Sequence, residues 1–268
     1  MLTVVNECAR GAAGNPNRAL VPDHVSGIVR GGRNLYGRPL GILMLESRFP
    51  RIPGDAGNAS TWPFPVSYRV VPGATPETVV RHLAESDFLT PFTAAALELE
   101  AEGASLVTTN CGFLVLYQQQ IQARLHIPFL SSSLLQVSWL QSLMPPGRRV
   151  GILTVEGASL TERHLAAAGI EPGVPIVGLE EAGDHFLTMI VSDALELDVE
   201  RARAEHVAAG RLLVQRHRDV GAIVLECTNM PPYAADIAAA TGLPVHDLTT
   251  FVSWAVSAHR RAGFTGWM

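Results

Sequence analysis

The sequence predicts an α/β protein of two pseudo-symmetric lobes, each a parallel sheet flanked by helices, with the active-site cleft between them. Three observations predict it. Short apolar runs alternate with helical stretches, a set of short motifs recurs about 110 residues later, and each copy carries one cysteine at an equivalent place. Strands alternating with helices imply βαβ units and a parallel sheet.

The repeat is read from four matches in the same order. Arg38-Pro39-Leu40-Gly41-Ile42-Leu43 recurs as Arg148-Arg149-Val150-Gly151-Ile152-Leu153, 110 residues later. Cys111 lies 17 positions before Pro128 and Cys227 lies 17 before Pro244, both shifted by 116. Val137-Ser138-Trp139 recurs as Val252-Ser253-Trp254 after 115. Similar offsets in fixed order indicate two copies of one unit.

Within each unit the elements follow from pattern. Gly41–Glu46 and Val150–Leu153 are short apolar runs expected to be the opening strands. Ala104–Thr108 and Ala222–Leu225, introduced by Gly103 and Gly221, are unbroken apolar or β-branched runs. Such runs suit strands covered on both faces, where alternation is lost. Helices are expected over Glu77–Glu85, Phe92–Glu102, Phe113–Leu125, Val199–His217 and Ala234–Ala240, and Pro231-Pro232 suit the first turn of a helix. The expected organisation is an irregular N-terminal arm over 1–37, a first lobe over 38–147 and a second over 148–244. The segment 245–268 either completes the second unit or packs back on the first lobe.

Composition narrows the class. Of 268 residues, 47% are apolar and only 17% are charged, which is enough to bury a sizeable core. A formal net charge of −5 argues against nucleic acid or an anionic membrane as partner. No apolar run approaches the roughly 20 residues of a membrane helix. The first residues lack the order of a signal peptide. Three cysteines make no disulfide framework, so reduced thiols and a cytoplasmic setting are expected. Cys8, in the arm, is read as structural or incidental.

Position singles out the other two cysteines. In an open parallel sheet, ligands bind beyond the carboxyl ends of the strands. Cys111 and Cys227 each follow such a strand and precede a helical stretch. A helix N-terminus there would lower a thiol pKa and could bind a carboxylate. The neighbours Thr108-Thr109-Asn110-Cys111-Gly112 and Cys227-Thr228-Asn229 add small polar groups, and Gly112 lets backbone amides come close to an anion. No histidine and cysteine spacing matches a zinc site, and no phosphate-binding or dinucleotide fingerprint is present.

The runs TTNCGF and LECTNMPPY, with the earlier GILMLESRFPRIPGDAGN, resemble the aspartate/glutamate racemase superfamily over about residues 38–260. That group includes cofactor-independent amino-acid racemases, hydantoin racemases, maleate isomerases and arylmalonate decarboxylases. In the familiar amino-acid racemases Asn and Thr follow the first cysteine. Here Asn110 precedes Cys111, and Gly112-Phe113 follow.

The resemblance implies proton transfer at a carbon next to a carboxyl group, with Cys111 and Cys227 as catalytic thiols on opposite faces and neither metal nor other cofactor. Substrate-binding candidates are Ser47, Asp55, Thr109, Asn110, Gly112, Thr228 and Asn229, and Arg48 or Arg51 could pair a second carboxylate. The preferred reading is a racemase or epimerase of an amino acid or derivative. Another isomerase or lyase of the superfamily is the alternative, such as maleate isomerisation or malonate decarboxylation, although the decarboxylase needs only the second thiol. A non-catalytic carboxylate-binding protein is a third reading. The expected partner is a small carboxylate-bearing substrate, in a homo-oligomer.

Overall fold

The computed structural model describes residue 28, residues 31–83 and 87–261, and residue 263 of the chain. Cys8 and most of the expected arm lie outside the described residues, as does the end of the helix expected over Glu77–Glu85. Two four-stranded, all-parallel sheets form the frame. The first holds β1 (Leu40–Leu45), β2 (Val66–Val71), β3 (Leu106–Thr109) and β4 (Phe129–Leu130), in the order β2-β1-β3-β4. The second holds β5 (Arg149–Thr154), β6 (Ile176–Gly178), β7 (Val220–Leu225) and β8 (Val245–His246), in the order β6-β5-β7-β8. The two orders are the same, so the repeat in the sequence is a repeat of topology.

The first lobe carries α1 (Pro76–Arg81), α2 (Leu89–Ala101), α3 (Gln118–Gln122) and α4 (Val137–Ser142). The remaining helices are α5 (Glu162–Ala167), α6 (His185–Val191), α7 (Val199–Arg216), α8 (Ala234–Thr241) and α9 (Leu248–His259). Side-chain caps start several of them. Thr75, Asp198 and Asp247 accept from the backbone N–H of Thr78, Arg201 and Thr250, satisfying donors the first turn leaves free.

The repeated glycine has a packing reason. A Cβ on Gly41 would meet Leu99 of α2 at 2.9 Å, and one on Gly151 would meet Leu213 of α7 at 2.9 Å. In each lobe the long helix lies on the opening strand closely enough to exclude any side chain there.

The lobes exchange their last helices. In α4, the Gln141 side chain accepts from Val150 N–H at 3.0 Å and donates to the Arg148 carbonyl at 3.1 Å, so this first-lobe helix lies on β5. Reciprocally, Leu248, Val252 and Val256 of α9 share a core cluster with Leu40, Ile42 and Met44 of β1, while β8 pairs with β7 in the second sheet. The repeated tryptophans Trp139 and Trp254 meet between these helices as a stack with centroids 5.7 Å apart.

One expectation is corrected. The stretch from Phe113 was expected to continue as a helix to Leu125. Instead, Gly112–Tyr117 is a tighter 3₁₀ run and only Gln118–Gln122 is α-helical. The stretch begins without a side-chain cap, wedged where the two lobes meet.

Candidate active site

The two cysteine loops are built alike from the strand ends upward. Asn110 N–H donates to the Leu43 carbonyl at 2.9 Å, and Glu226 N–H donates to the Leu153 carbonyl at 2.8 Å. Each loop thus leaves its strand by one bond to the neighbouring opening strand. Beyond the thiols, Leu114 N–H donates to the Cys111 carbonyl and Met230 N–H to the Cys227 carbonyl, both at 3.2 Å. Equivalent chain paths carry the two thiols to equivalent positions.

Small polar side chains then lock one loop against the other. The Thr228 hydroxyl donates to the Asn110 carbonyl. Ser133 donates to the Leu225 carbonyl at 2.6 Å, and Ala56 N–H donates to the Thr228 carbonyl at 3.2 Å. The Thr109 hydroxyl accepts from Cys111 N–H at 3.2 Å and lies 2.7 Å from the Ser131 carbonyl. Gly112 is the tightest point, because a Cβ there would stand 2.2 Å from Glu226 Oε1 and 2.4 Å from its carbonyl oxygen.

These contacts bring Cys111 and Cys227 onto one cavity, whose other polar borders are Asn110, Glu226 and Asn229. Leu45, Phe49, Phe113, Val155 and Ile190 supply apolar walls from both lobes. The site has a volume of about 20 Å³, about the room of one water molecule. Phe49 is set by Asp193 of the second lobe, whose carboxylate accepts from Arg48 N–H at 2.6 Å and Phe49 N–H at 3.0 Å.

Electrostatics distinguish the two thiols. Burial, helped by nearby Glu226, pushes Cys111 up to about 12, while the N–H groups of Phe113 and Leu114 oppose the shift. Burial and Glu226 also raise Cys227 well above the ordinary thiol value, with one opposing N–H from Asn229 and further upward pressure from Cys111 and Asp55. The Cys227 thiol donates to Asn229 Oδ1 at 3.5 Å. The expected lowering by a helix N-terminus is not found. Cys111 precedes a 3₁₀ run and α8 begins only at Ala234, so desolvation prevails.

Of the residues expected at the site, Asn110, Cys111, Gly112, Cys227 and Asn229 border the cavity. Asp55 stands behind it, accepting from Asn229 Nδ2 at 2.6 Å, Arg51 at 2.9 Å and Gly57 N–H at 2.7 Å. Ser47 accepts from the other Arg51 nitrogen at 2.7 Å, so both ends of that guanidinium are engaged. Arg48 lies outside, paired with Asp193. Thr109 and Thr228 use their hydroxyls on backbone and hold the loops.

Sequence reasoning missed Glu226. It is fully buried, its Oε2 accepts from Thr154 at 2.8 Å, and its Oε1 has no partner. Burial raises its carboxyl to about 7 against a partial lowering by Thr154. The available signal was one acid closing the apolar run Ala222–Leu225, directly before a cysteine.

Comparison with known proteins agrees with this fold. Among solved structures, aspartate racemase from Picrophilus torridus superposes with a TM-score of 0.51 at 17% identity, over 85% of this chain and 96% of that one. An arylmalonate decarboxylase mutant in its sulfate-associated form gives 0.51 at 17%, over 85% and 95%. At these identities the likeness concerns the fold. In sequence, the chain is 29% identical to a dimethylsulfoniopropionate lyase from Durusdinium sp. clade D, over 80% of this chain and 72% of that protein. It is 28% identical to dimethylsulfoniopropionate lyase 6 of Emiliania huxleyi, over 89% of this chain but only 61% of the relative's length. The family model described as Asp/Glu/Hydantoin racemase matches residues 74–256, which include both cysteine loops. With its duplicated parallel sheets and paired loops, the chain belongs to the Asp/Glu/Hydantoin racemase family.

Proposed function

We propose that the protein is a carbon-acid enzyme acting on a small carboxylate, and that it resolves the carbanion by β-elimination, as a lyase on dimethylsulfoniopropionate or a close analogue. The observation that carries the carbon-acid part of this reading is the meeting of two thiols, one from each lobe, on a single apolar-walled cavity. A hydrogen next to a carboxylate is a very weak acid. Its removal needs a positioned base, donors for the developing charge and exclusion of water.

In the proposed step the thiolate of one cysteine takes the α-proton. The C–H electron pair forms the carbon–carbon double bond, and the bond from the β-carbon to sulfur breaks with its electrons leaving on sulfur. Dimethyl sulfide and acrylate result, and the thiol returns its proton to solvent. The names of the relatives support elimination over inversion, since they are lyases of this substrate. The second reading, racemisation or epimerisation, is favoured by the duplicated thiol, because inversion needs an acid opposite the base.

Incubation with dimethylsulfoniopropionate in deuterated water separates the two. Elimination predicts dimethyl sulfide in the headspace and acrylate by NMR. No release, together with α-deuterium uptake and loss of optical activity in a panel of amino acids and hydantoins, would establish racemisation instead.

A further inference from the structure

Two polar atoms on the cavity border are buried without partners. Asn110 Nδ2 is a free donor, its Oδ1 already accepting from Leu45 N–H at 2.7 Å, and Glu226 Oε1 is a free acceptor. Buried polar groups left unpaired are costly and call for an explanation. They stand at equivalent positions, each directly before its cysteine, so the two lobes present one donor and one acceptor to the same space.

We propose that the cavity receives a zwitterion, Asn110 Nδ2 taking its carboxylate and Glu226 Oε1 facing its cation, and that this cation is a methylated onium group rather than a primary ammonium. The assignment rests on the carbon-acid reading of the site and adds the residue that selects the substrate. A primary ammonium brings three N–H donors. Among the described residues, Glu226 Oε1 is the buried side-chain acceptor on this border left without a partner. An onium group carries charge without donors, and its methyl groups suit Phe49, Phe113 and Ile190, with aromatic faces adding attraction. The charge also bears on catalysis. Burial first, and Glu226 after it, hold both thiols in their protonated form, and a cation beside Glu226 relieves its share of that effect, so the substrate helps to ionise its own base.

The test measures binding by calorimetry in the Cys111→Ser, Cys227→Ser double variant, which cannot turn the ligand over by thiol chemistry. Dimethylsulfoniopropionate is compared with 4-methylpentanoate, its uncharged isostere, and with β-alanine, its primary-ammonium counterpart. The sulfonium acid should bind about tenfold tighter than the isostere, the scale of one charge-assisted contact, and tighter than β-alanine. Adding Glu226→Gln should remove the preference over the isostere, whereas Asn110→Ala should weaken both ligands alike. A preference that survives Glu226→Gln overturns the assignment, as does tighter binding of β-alanine.

Should the Gln variant fail to fold, pH supplies the second measurement. The ionisable groups that Glu226 acts on are the two thiols, absent from the double variant, while Asp55 and Arg51 act on Cys227 and Cys111 respectively. Lowering pH from about 8 to about 6 should protonate Glu226 and erode the preference, and a flat preference overturns the assignment. Dimethyl sulfide release by the unaltered protein is scored separately. Release without the binding preference defeats this inference alone, whereas the preference without release defeats the lyase reading alone.

Discussion

The loop around Cys111 and the loop around Cys227 share a backbone and differ in chemistry. Both leave their sheets through the same strand-to-strand bond and turn through the same bond onto the backbone carbonyl of the cysteine. Position by position, however, Asn110 stands against Glu226, Gly112 against Thr228, and Phe113 against Asn229. Duplication supplied two equal frames facing one cavity, and divergence made one loop a donor and the other an acceptor. The thiols diverge with them. Cys111 receives two backbone N–H groups that favour its thiolate, whereas Cys227 receives one and spends its proton on Asn229. Under the proposed elimination, that difference favours Cys111 as the base, with Cys227 the thiol that keeps its proton.

Cys111→Ser breaks the comparison most severely. It should lower dimethyl sulfide release by about 10²–10⁴-fold, the usual contribution of a positioned acid or base, with a smaller loss for Cys227→Ser. Equal losses would show that the thiols act as partners in proton return, the outcome racemisation requires.

Glu226→Gln tests the acceptor loop through stability. The free carboxyl ionises near 4.5 and the folded one near 7. Between those values the folded protein holds more protons than the unfolded chain, so raising pH favours unfolding. The variant should therefore gain on the order of 3 kcal/mol at pH 8 and almost nothing near pH 4, by urea denaturation. A gain independent of pH would mean that Glu226 does not titrate in this range.

Gly112→Ala tests the contact between the loops. Its methyl group would overlap Glu226, and a cost of about 1–3 kcal/mol is expected by the same measurement. Thr228→Val, at the equivalent place, removes only the hydroxyl bond to the Asn110 carbonyl and should cost about 1 kcal/mol. If the valine variant proved the worse, the hydroxyl tie and not close packing at Gly112 would be what holds the loops together.

Much of this architecture was legible before any coordinates. The apolar runs at Gly41–Glu46, Ala104–Thr108, Val150–Leu153 and Ala222–Leu225 became the central strands of the two sheets, within a few residues at each end. Those strands are buried on both faces, so the pattern that marks them is strong. β2 and β6 were not recognised, because Ser67 and Arg69 interrupt the apolar run of Val66–Val71 and Ile176–Gly178 is only three residues long. The stretch after Cys111 misled as a helix because its apolar residues are set by contact between lobes rather than by helical period.

By itself, the sequence determined the duplication, the parallel frame and the placing of one thiol after an inner strand of each sheet. These follow from local pattern, since strand burial and strand-to-helix turns leave their mark within a few residues. Only the tertiary structure decided that Glu226 enters the cavity, that Thr109 and Thr228 serve the backbone, and that both thiols are raised rather than lowered. Each of those outcomes depends on an atom from another segment or on exclusion of water. Thr109 reaches Ser131, 22 positions away, and Thr228 reaches Asn110, 118 positions away, and such meetings leave no local mark in the sequence.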